Sequence, residues 1–325
     1  MNLDPRLQRV ISWVRAHRTW LSAGTALLVL GIAGVALARI LHDISMADIE
    51  ASMAAITTRQ ILLSAGLTVL SYFVLTGYDV LALNAIDKPQ RYWRAALGSF
   101  SAYTFSHNLG FAPITGAAAR WRAYRGTNLT GPDIARIVVI AGVTFWLGIM
   151  VMLGVFLLTV PGALRIQDMV LPFPAQAALG AVILSGIGLY LVACARQTGP
   201  LSILGWTLPV PTTRQALAQF ALAATDIAIA SAALLVLLPE VAWHHYPDFV
   251  VAYVVAMVVA MVTHAPGGLG VFEAVILVNL PEVEKPALVT ALILYRVIYY
   301  WVPLLLAVVL LGINEVRGFR ADRLE

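Results

Sequence analysis

Residues 263–273 read THAPGGLGVFE, and they interrupt a run that is otherwise apolar, with FVVAYVVAMVVAMV before them at 249–262 and AVILVNL after them at 274–280. Proline removes a backbone N–H and glycine loosens a helix. In hydrocarbon no water replaces the hydrogen bonds lost in this way. Glu273 adds a carboxylate at a depth where an isolated charge is costly. The stretch therefore reads as a helix break held inside protein, with Pro266, Gly267, Gly268 and Gly270 as its hinge.

Working outward, the whole chain has the composition of a membrane protein. Of its 325 residues 60% are hydrophobic and 12% charged, where a soluble domain carries about 25% charged residues. Several apolar runs are long enough to span a bilayer. The N-terminal segment 1–18 is polar and basic, and the run after it is too long for a signal-peptide core, so no cleaved leader is expected. Cys194 is the only cysteine, which excludes an intramolecular disulfide and a cysteine metal cluster. The net charge of +4 follows the membrane topology and is no sign of nucleic acid. No long polar block separates the apolar runs, so an extramembrane catalytic domain is not expected.

Full spans are predicted at 19–41, 61–86, 133–160, 172–195, 214–238 and 285–313. Two apolar segments do not fit. Residues 94–122 are broken by SHNLGFAPITG and residues 248–280 by THAPGGLG, and their arms are short against the ~20 residues a span needs. Each crosses as a broken helix or returns as a re-entrant hairpin. Basic residues decide. With both segments re-entrant and the N-terminus inside, 16 of the 21 Lys and Arg residues fall on the cytoplasmic side. Four (Arg39, Arg59, Arg165 and Lys285) fall outside, and Arg296 lies within a span. That asymmetry obeys the positive-inside rule; a crossing at 94–122 would move Arg120, Arg122 and Arg125 outside. The expected fold is an all-α polytopic membrane protein with six full spans and two re-entrant hairpins, both termini cytoplasmic.

Three spans between the hairpins make them enter from opposite faces. His107 precedes Gly110 as His264 precedes Gly267, and each hairpin is followed by a Pro-led span, from Pro132 and Pro286. This points to an inverted repeat, in which broken helices meet near the midplane and mark a binding site. The second hinge lies roughly 18 Å below the outer end of its segment, and the half-helix after it aims its N-terminus, which favours an anion, at the midplane. Glu273 and Arg296 lie ~11 and ~17 Å below the same surface, so the two are paired. The pair is either a structural lock or a site for a lipid phosphate or mobile countercharge. Asp226 and Asp79 are each a cavity-facing group or a polar lock between helices. His107 and Asn108, beside Gly110 at the first hinge, either satisfy freed backbone groups or touch a ligand. Arg120, Arg122 and Arg125 at the cytoplasmic mouth either follow the positive-inside rule alone or capture anionic headgroups. No HExxH, Gly-x-Ser-x-Gly or nucleotide-binding loop is present, so neither catalytic residues, a metal nor a cofactor are assigned.

PGGLGVFEAVIL at 266–277, LYRVIYYWVPLLLA at 294–307, SYFVLTGYDVLALNAI at 71–86 and FSHNLGFAPITGAAARWRAY at 105–124 resemble the transmembrane flippase region of MprF-type lysylphosphatidylglycerol synthetases and their stand-alone relatives. The resemblance implies a polytopic translocase of the bacterial inner membrane that moves charged or modified phospholipids between leaflets. Residues 1–18 would be its cytoplasmic basic segment, 19–313 a single flippase-like domain and 314–325 a cytoplasmic tail. Fused members carry a soluble aminoacyl-transferase domain after this region. The sequence ends at Glu325, so lipid synthesis is expected to fall to a separately encoded lipid-modifying enzyme. Where the family more often has a glycine pair before the arginine of the first hairpin, this chain has TGAAAR, with Gly116 alone, and the resemblance does not imply tight packing there. A lipid-modifying transferase and a non-transporting partner of such an enzyme are the other readings.

Overall fold

The computed structural model describes residues 44–162, 165–166, 169–196, 201–203, 206–208, 210–238, 241–263 and 266–321. The expected first span at 19–41, the basic segment 1–18 and His264 lie outside the described residues. The described chain is an all-α polytopic membrane protein. Its helices are α1 (Met46–Ala55), α2 (Thr58–Ala85), α3 (Tyr92–Leu109), α4 (Ala112–Ala123), α5 (Gly131–Thr159) and α6 (Phe173–Arg196), followed by α7 (Thr213–Leu235), α8 (Tyr246–Val262), α9 (Val271–Asn279), α10 (Lys285–Tyr295) and α11 (Val302–Ala321). Two antiparallel ladders, Arg165–Ile166 with Met169–Val170 and Leu201–Ile203 with Trp206–Leu208, sit in the loops flanking α6.

Helix starts follow capping chemistry. Thr57 and Gln60 form a reciprocal box at α2 and Thr212 and Gln215 at α7, while at α5 the Asp133 carboxylate accepts from Thr130 N and Oγ1. Each box satisfies N–H groups that a helix end leaves free. Six helical stretches among the described residues are long and apolar enough to cross a membrane: Thr58–Ala85, Gly131–Thr159, Phe173–Arg196, Thr213–Leu235, Trp243–Val262 and Lys285–Val316. Five coincide with expected spans. The sixth is the first arm of the second broken segment, whose length in the sequence falls short of a span. A 3₁₀ turn at Trp243–His245 lengthens its 17-residue helix to 20 residues.

Both broken segments fold back on themselves. In the first, Gly98 lies against the ring of Tyr124 while Gly116 lies against Ser106 and the Ala102 carbonyl, so α3 and α4 run antiparallel. In the second, Gly268 lies against Ala260 and the Phe272 ring against Tyr253, so α9 returns along α8. The return arm α9 has 9 residues, about 14 Å of helix and too little to cross. Gly116, alone in TGAAAR where tight packing did not follow from the sequence, is in fact tightly packed: a Cβ there would stand 2.9 Å from Ser106 Oγ.

The main core gathers α2, α7, α8, α9 and α10 around Tyr72, Tyr78, Tyr253, Tyr295 and Tyr299. A second cluster joins the end of α2 to α3, Tyr124 and α5 through Leu83, Ala95, Ile134 and Ile137. Helices α5 and α7 cross closely at Gly148, where an added Cβ would stand 2.3 Å from that of Ala223. Without a hydrophobic drive between helices in lipid, such small-residue contacts carry packing.

Candidate functional site

The site begins at Pro303. Its ring has no N–H for the carbonyl four residues back, Tyr299 O, and it crowds that carbonyl. The helix widens in response, and Arg296–Trp301 is a π-helical turn between α10 and α11. Such turns are frequent at functional sites. Side chains from other helices take the released carbonyls. Tyr72 OH of α2 donates to Tyr299 O at 3.1 Å, and Asn108 Nδ2 at the tip of α3 donates to Tyr300 O at 3.1 Å. Asn108 thus satisfies freed backbone, on the last span and not within its own hinge alone.

The tips of the two broken segments meet at this turn. The first tip turns at Gly110 (φ 71°) and Phe111 (φ 47°), the latter a left-handed conformation that is costly for a bulky residue. The second turns through Gly267 (φ 61°), Gly268 (φ 63°) and Gly270 (φ 78°), starting from the 3₁₀ turn Pro266–Gly268. Gly267 is required twice over. Its φ excludes most L side chains, and a Cβ would stand 2.9 Å from Asn108 O and 3.2 Å from His107 O.

Arg296 projects from the π turn into this junction. Its Nε donates to Glu273 Oε1 at 2.6 Å, its Nη1 donates to the Gly267 carbonyl, and its Nη2 is buried without a partner among the described residues. The guanidinium lies 4.5 Å from the Tyr300 ring centroid and 5.8 Å from that of Phe272. The other Glu273 oxygen accepts from Gly270 N at 2.8 Å. This modifies the expected anion site: the N-terminus of α9 is already answered by its own carboxylate, and the donor left over is Arg296 Nη2. His107 stands across the same aromatic wall, 6.0 Å from Tyr300 and 6.4 Å from Tyr299. Its Nδ1 is also buried without a partner among the described residues.

A second charge pair lies in the other half of the molecule. Arg120 grips Asp79 with Nε at 3.0 Å from both carboxylate oxygens and Nη2 at 2.6 Å from Oδ1. Tyr124 OH adds a bond to Asp79 Oδ2 at 2.7 Å. The two side chains are 5% and 0% exposed. Arg120 is therefore not available at the mouth to collect headgroups. Buried beside a carboxylate, its fork is committed, since an unmatched charge there would be far more costly. Arg122 and Arg125 are exposed, with Arg122 Nη1 3.6 Å from Glu315. Sequence reading misses the pairing of Asp79 with Arg120. The signal is present, because both lie a few residues from the same end of their segments, the depth argument that pairs Glu273 with Arg296.

Asp226, in the middle of α7, is buried and among the described residues meets hydroxyls alone. Ser71 Oγ donates to its Oδ1 at 2.7 Å and Tyr78 OH to its Oδ2 at 3.5 Å. Ser71 Oγ is in turn 2.8 Å from Tyr299 OH, which ties Asp226 to the π turn. Neither Ser71 nor Tyr299 stands out in the sequence. Among the described residues no three His, Cys, Asp or Glu side chains converge as metal ligands.

No protein-family model matches the chain. It is 33% identical over 303 residues, 92% of both chains, to the uncharacterized protein slr0712 of Synechocystis sp.. It is 31% identical over 270 residues, 81% of this chain and 83% of the relative, to the inner membrane protein YbhN of Escherichia coli. A shorter similarity, 36% over 67 residues, covers 20% of this chain and 8% of a phosphatidylglycerol lysyltransferase of Staphylococcus epidermidis.

Proposed function

The chain belongs to one family with YbhN and slr0712 and is a multi-pass inner-membrane protein, and we propose that it moves an anionic phospholipid between the two leaflets. The observation that carries this reading is Arg296, whose guanidinium keeps a buried N–H without a partner among the described residues at the meeting point of two folded-back segments. A guanidinium donates well to phosphate oxygens. A lipid phosphodiester passing the junction would accept from Nη2, with Tyr300 and His107 as walls. The short likeness to a phosphatidylglycerol lysyltransferase supports phosphatidylglycerol or a derivative as the lipid, along the lines of the MprF flippase region.

In this proposal the α3–α4 and α8–α9 pairs are re-entrant, enter from opposite faces because three spans lie between them, and meet near the midplane. Both termini are cytoplasmic, following the 16-to-4 distribution of basic residues. Buried ion pairs at Asp79–Arg120 and Glu273–Arg296 hold each folded-back segment to a full span. The protein is a carrier and not an enzyme, and any modification of the lipid is made by a separate protein.

The test is reconstitution. Purified protein in phosphatidylglycerol-containing liposomes should speed the loss of a fluorescent phosphatidylglycerol analogue to a membrane-impermeant quencher. Arg296→Gln should abolish the effect. Movement no faster than in empty liposomes, across anionic, aminoacylated and isoprenoid lipids and with or without a pH gradient or membrane potential, overturns the proposal. Formation of a modified lipid in detergent, where no leaflets exist, would assign a transferase in its place.

A further inference from the structure

Among the described residues four carboxylates lie in or near the buried interior, and three have a cation in contact. Asp79 holds Arg120, Glu273 holds Arg296, and Asp133 holds Lys88 at 2.6 Å with Arg136 at 3.6 Å. Asp226 is 4% exposed and has no Lys, Arg or His within ion-pair distance among the described residues. Its partners are Ser71 Oγ and Tyr78 OH. Nearby cations cannot turn to it, because Arg120 and Arg296 are each locked on another carboxylate. A bare carboxylate in that position would be costly, and the described residues place no cation against it to offset it.

We propose that Asp226 binds a proton, standing as a neutral carboxylic acid in the resting protein, and that its release and rebinding couples lipid movement to proton flow. The hydroxyl chain accommodates both forms without moving heavy atoms. With Asp226 charged, Ser71 Oγ–H donates to Oδ1 and Tyr299 O–H donates to Ser71 Oγ. With a proton on Oδ1, Asp226 donates to Ser71 Oγ, Ser71 O–H donates to Tyr299 Oη, and the Tyr299 hydrogen rotates away from Ser71; the 2.7 and 2.8 Å separations serve either polarity. Tyr299 stands three residues from Arg296 on the same π turn. The chain of hydroxyls therefore ends on the segment that carries the proposed phosphate donor, so proton occupancy at Asp226 and lipid occupancy at Arg296 act on one element.

The titratable groups that face Asp226 are Tyr72 and Tyr78 of α2, Tyr103 of α3, Tyr253 of α8 and Tyr299 of the π turn. All are phenols, none a base of carboxylate strength. Helices α5 and α6 bring Thr144 and Tyr190 to Gln219, about two turns away from Asp226.

The coupling rests on the transport reading; the proton on Asp226 does not, and two measurements keep them apart. Infrared spectra of the full chain at neutral pH should show the C=O stretch of a protonated carboxyl, kept in Asp226→Glu and missing in Asp226→Asn. Asp226→Asn should unfold at a temperature near the wild type's, because its amide oxygen can accept from Ser71 while Tyr299 donates to Ser71, the polarity the charged carboxylate would use. In liposomes an imposed pH gradient should speed wild-type lipid movement several-fold and leave Asp226→Asn unaffected. No band lost in Asp226→Asn overturns the proton on Asp226. A band with lipid movement that ignores a pH gradient, or follows a sodium gradient instead, overturns the coupling. A band with no lipid movement in the wild type overturns the transport reading and the coupling with it, and leaves the protonated Asp226 supported.

Discussion

Tyr72 donates its phenolic hydrogen to the carbonyl of Tyr299 at 3.1 Å, the carbonyl that Pro303 leaves without a helical partner. A distant helix thereby repairs a defect written into the last span, and the repair holds open the π turn that presents Arg296. Tyr72→Phe should destabilise the protein by about 1–3 kcal/mol, because it orphans a buried carbonyl. Pro303→Ala restores an N–H four residues after Tyr299, so the double variant should lose less than the sum of the two single losses. Thermal unfolding in detergent reads both; strict additivity would show that the tyrosine is not serving that carbonyl.

Glu273 and Arg296 touch at 2.6 Å. Removing one partner of a buried pair leaves a charge without compensation, a loss of roughly 3–5 kcal/mol. Glu273→Gln and Arg296→Gln should each destabilise to that extent. The double variant should lose less stability than the two single losses summed, yet stay inactive in lipid movement if Arg296 contacts the phosphate. Recovery of both stability and activity in the double variant would reduce the pair to a structural lock.

Gly267→Ala should inactivate the protein while it still inserts. The left-handed backbone alone disfavours alanine by roughly 1–2 kcal/mol, and the new Cβ would press on the backbone oxygen of Asn108 at 2.9 Å. Gly66→Ala is the control. It sits in α2 with nothing within 4 Å of the added carbon, so it should leave activity unchanged and gain about 0.5–1 kcal/mol of helix stability. Equal behaviour of the two variants in expression, unfolding and liposome assays would show that the tip contact is dispensable.

The three arginines after the first hairpin should part company. Arg120→Gln breaks a buried pair and should lower the unfolding temperature at low and high salt alike. Arg122→Gln with Arg125→Gln should leave unfolding nearly unchanged and slow lipid uptake at low ionic strength only, since exposed charges are screened beyond about 8–10 Å at physiological salt. A salt-dependent unfolding loss in Arg120→Gln would contradict its burial against Asp79.

Topology can be read by thiol labelling in a Cys194→Ala background. Cysteines at Ser45 and His244, both exposed, should react with an impermeant reagent from outside, and one at Arg122 should react from inside. Outside labelling at position 122 would show that the α3–α4 pair crosses, which removes the re-entrant arrangement and the convergence from opposite faces.

The elements legible in the sequence are those whose cause is local. Lipid offers no hydrogen bonds, so each spanning segment must satisfy its own backbone; run length, Pro and Gly therefore locate five of the spans and both breaks, at Gly110 and at Pro266–Gly270. The Glu273–Arg296 contact is also within reach, since both charges can be placed at one depth from one surface. Only the tertiary structure decided the rest, because the deciding partners come from other helices. Asp79 and Arg120 are 41 residues apart, and Ser71 and Asp226 are 155 apart; helix rotation, which run length does not constrain, determines that such side chains meet. The same rotation withdrew Arg120 from the surface, brought the two tips into contact at Gly267 and left Asp226 among hydroxyls. A sequence shows which charges lie in the membrane, and the packing of helices alone determines which of them are matched.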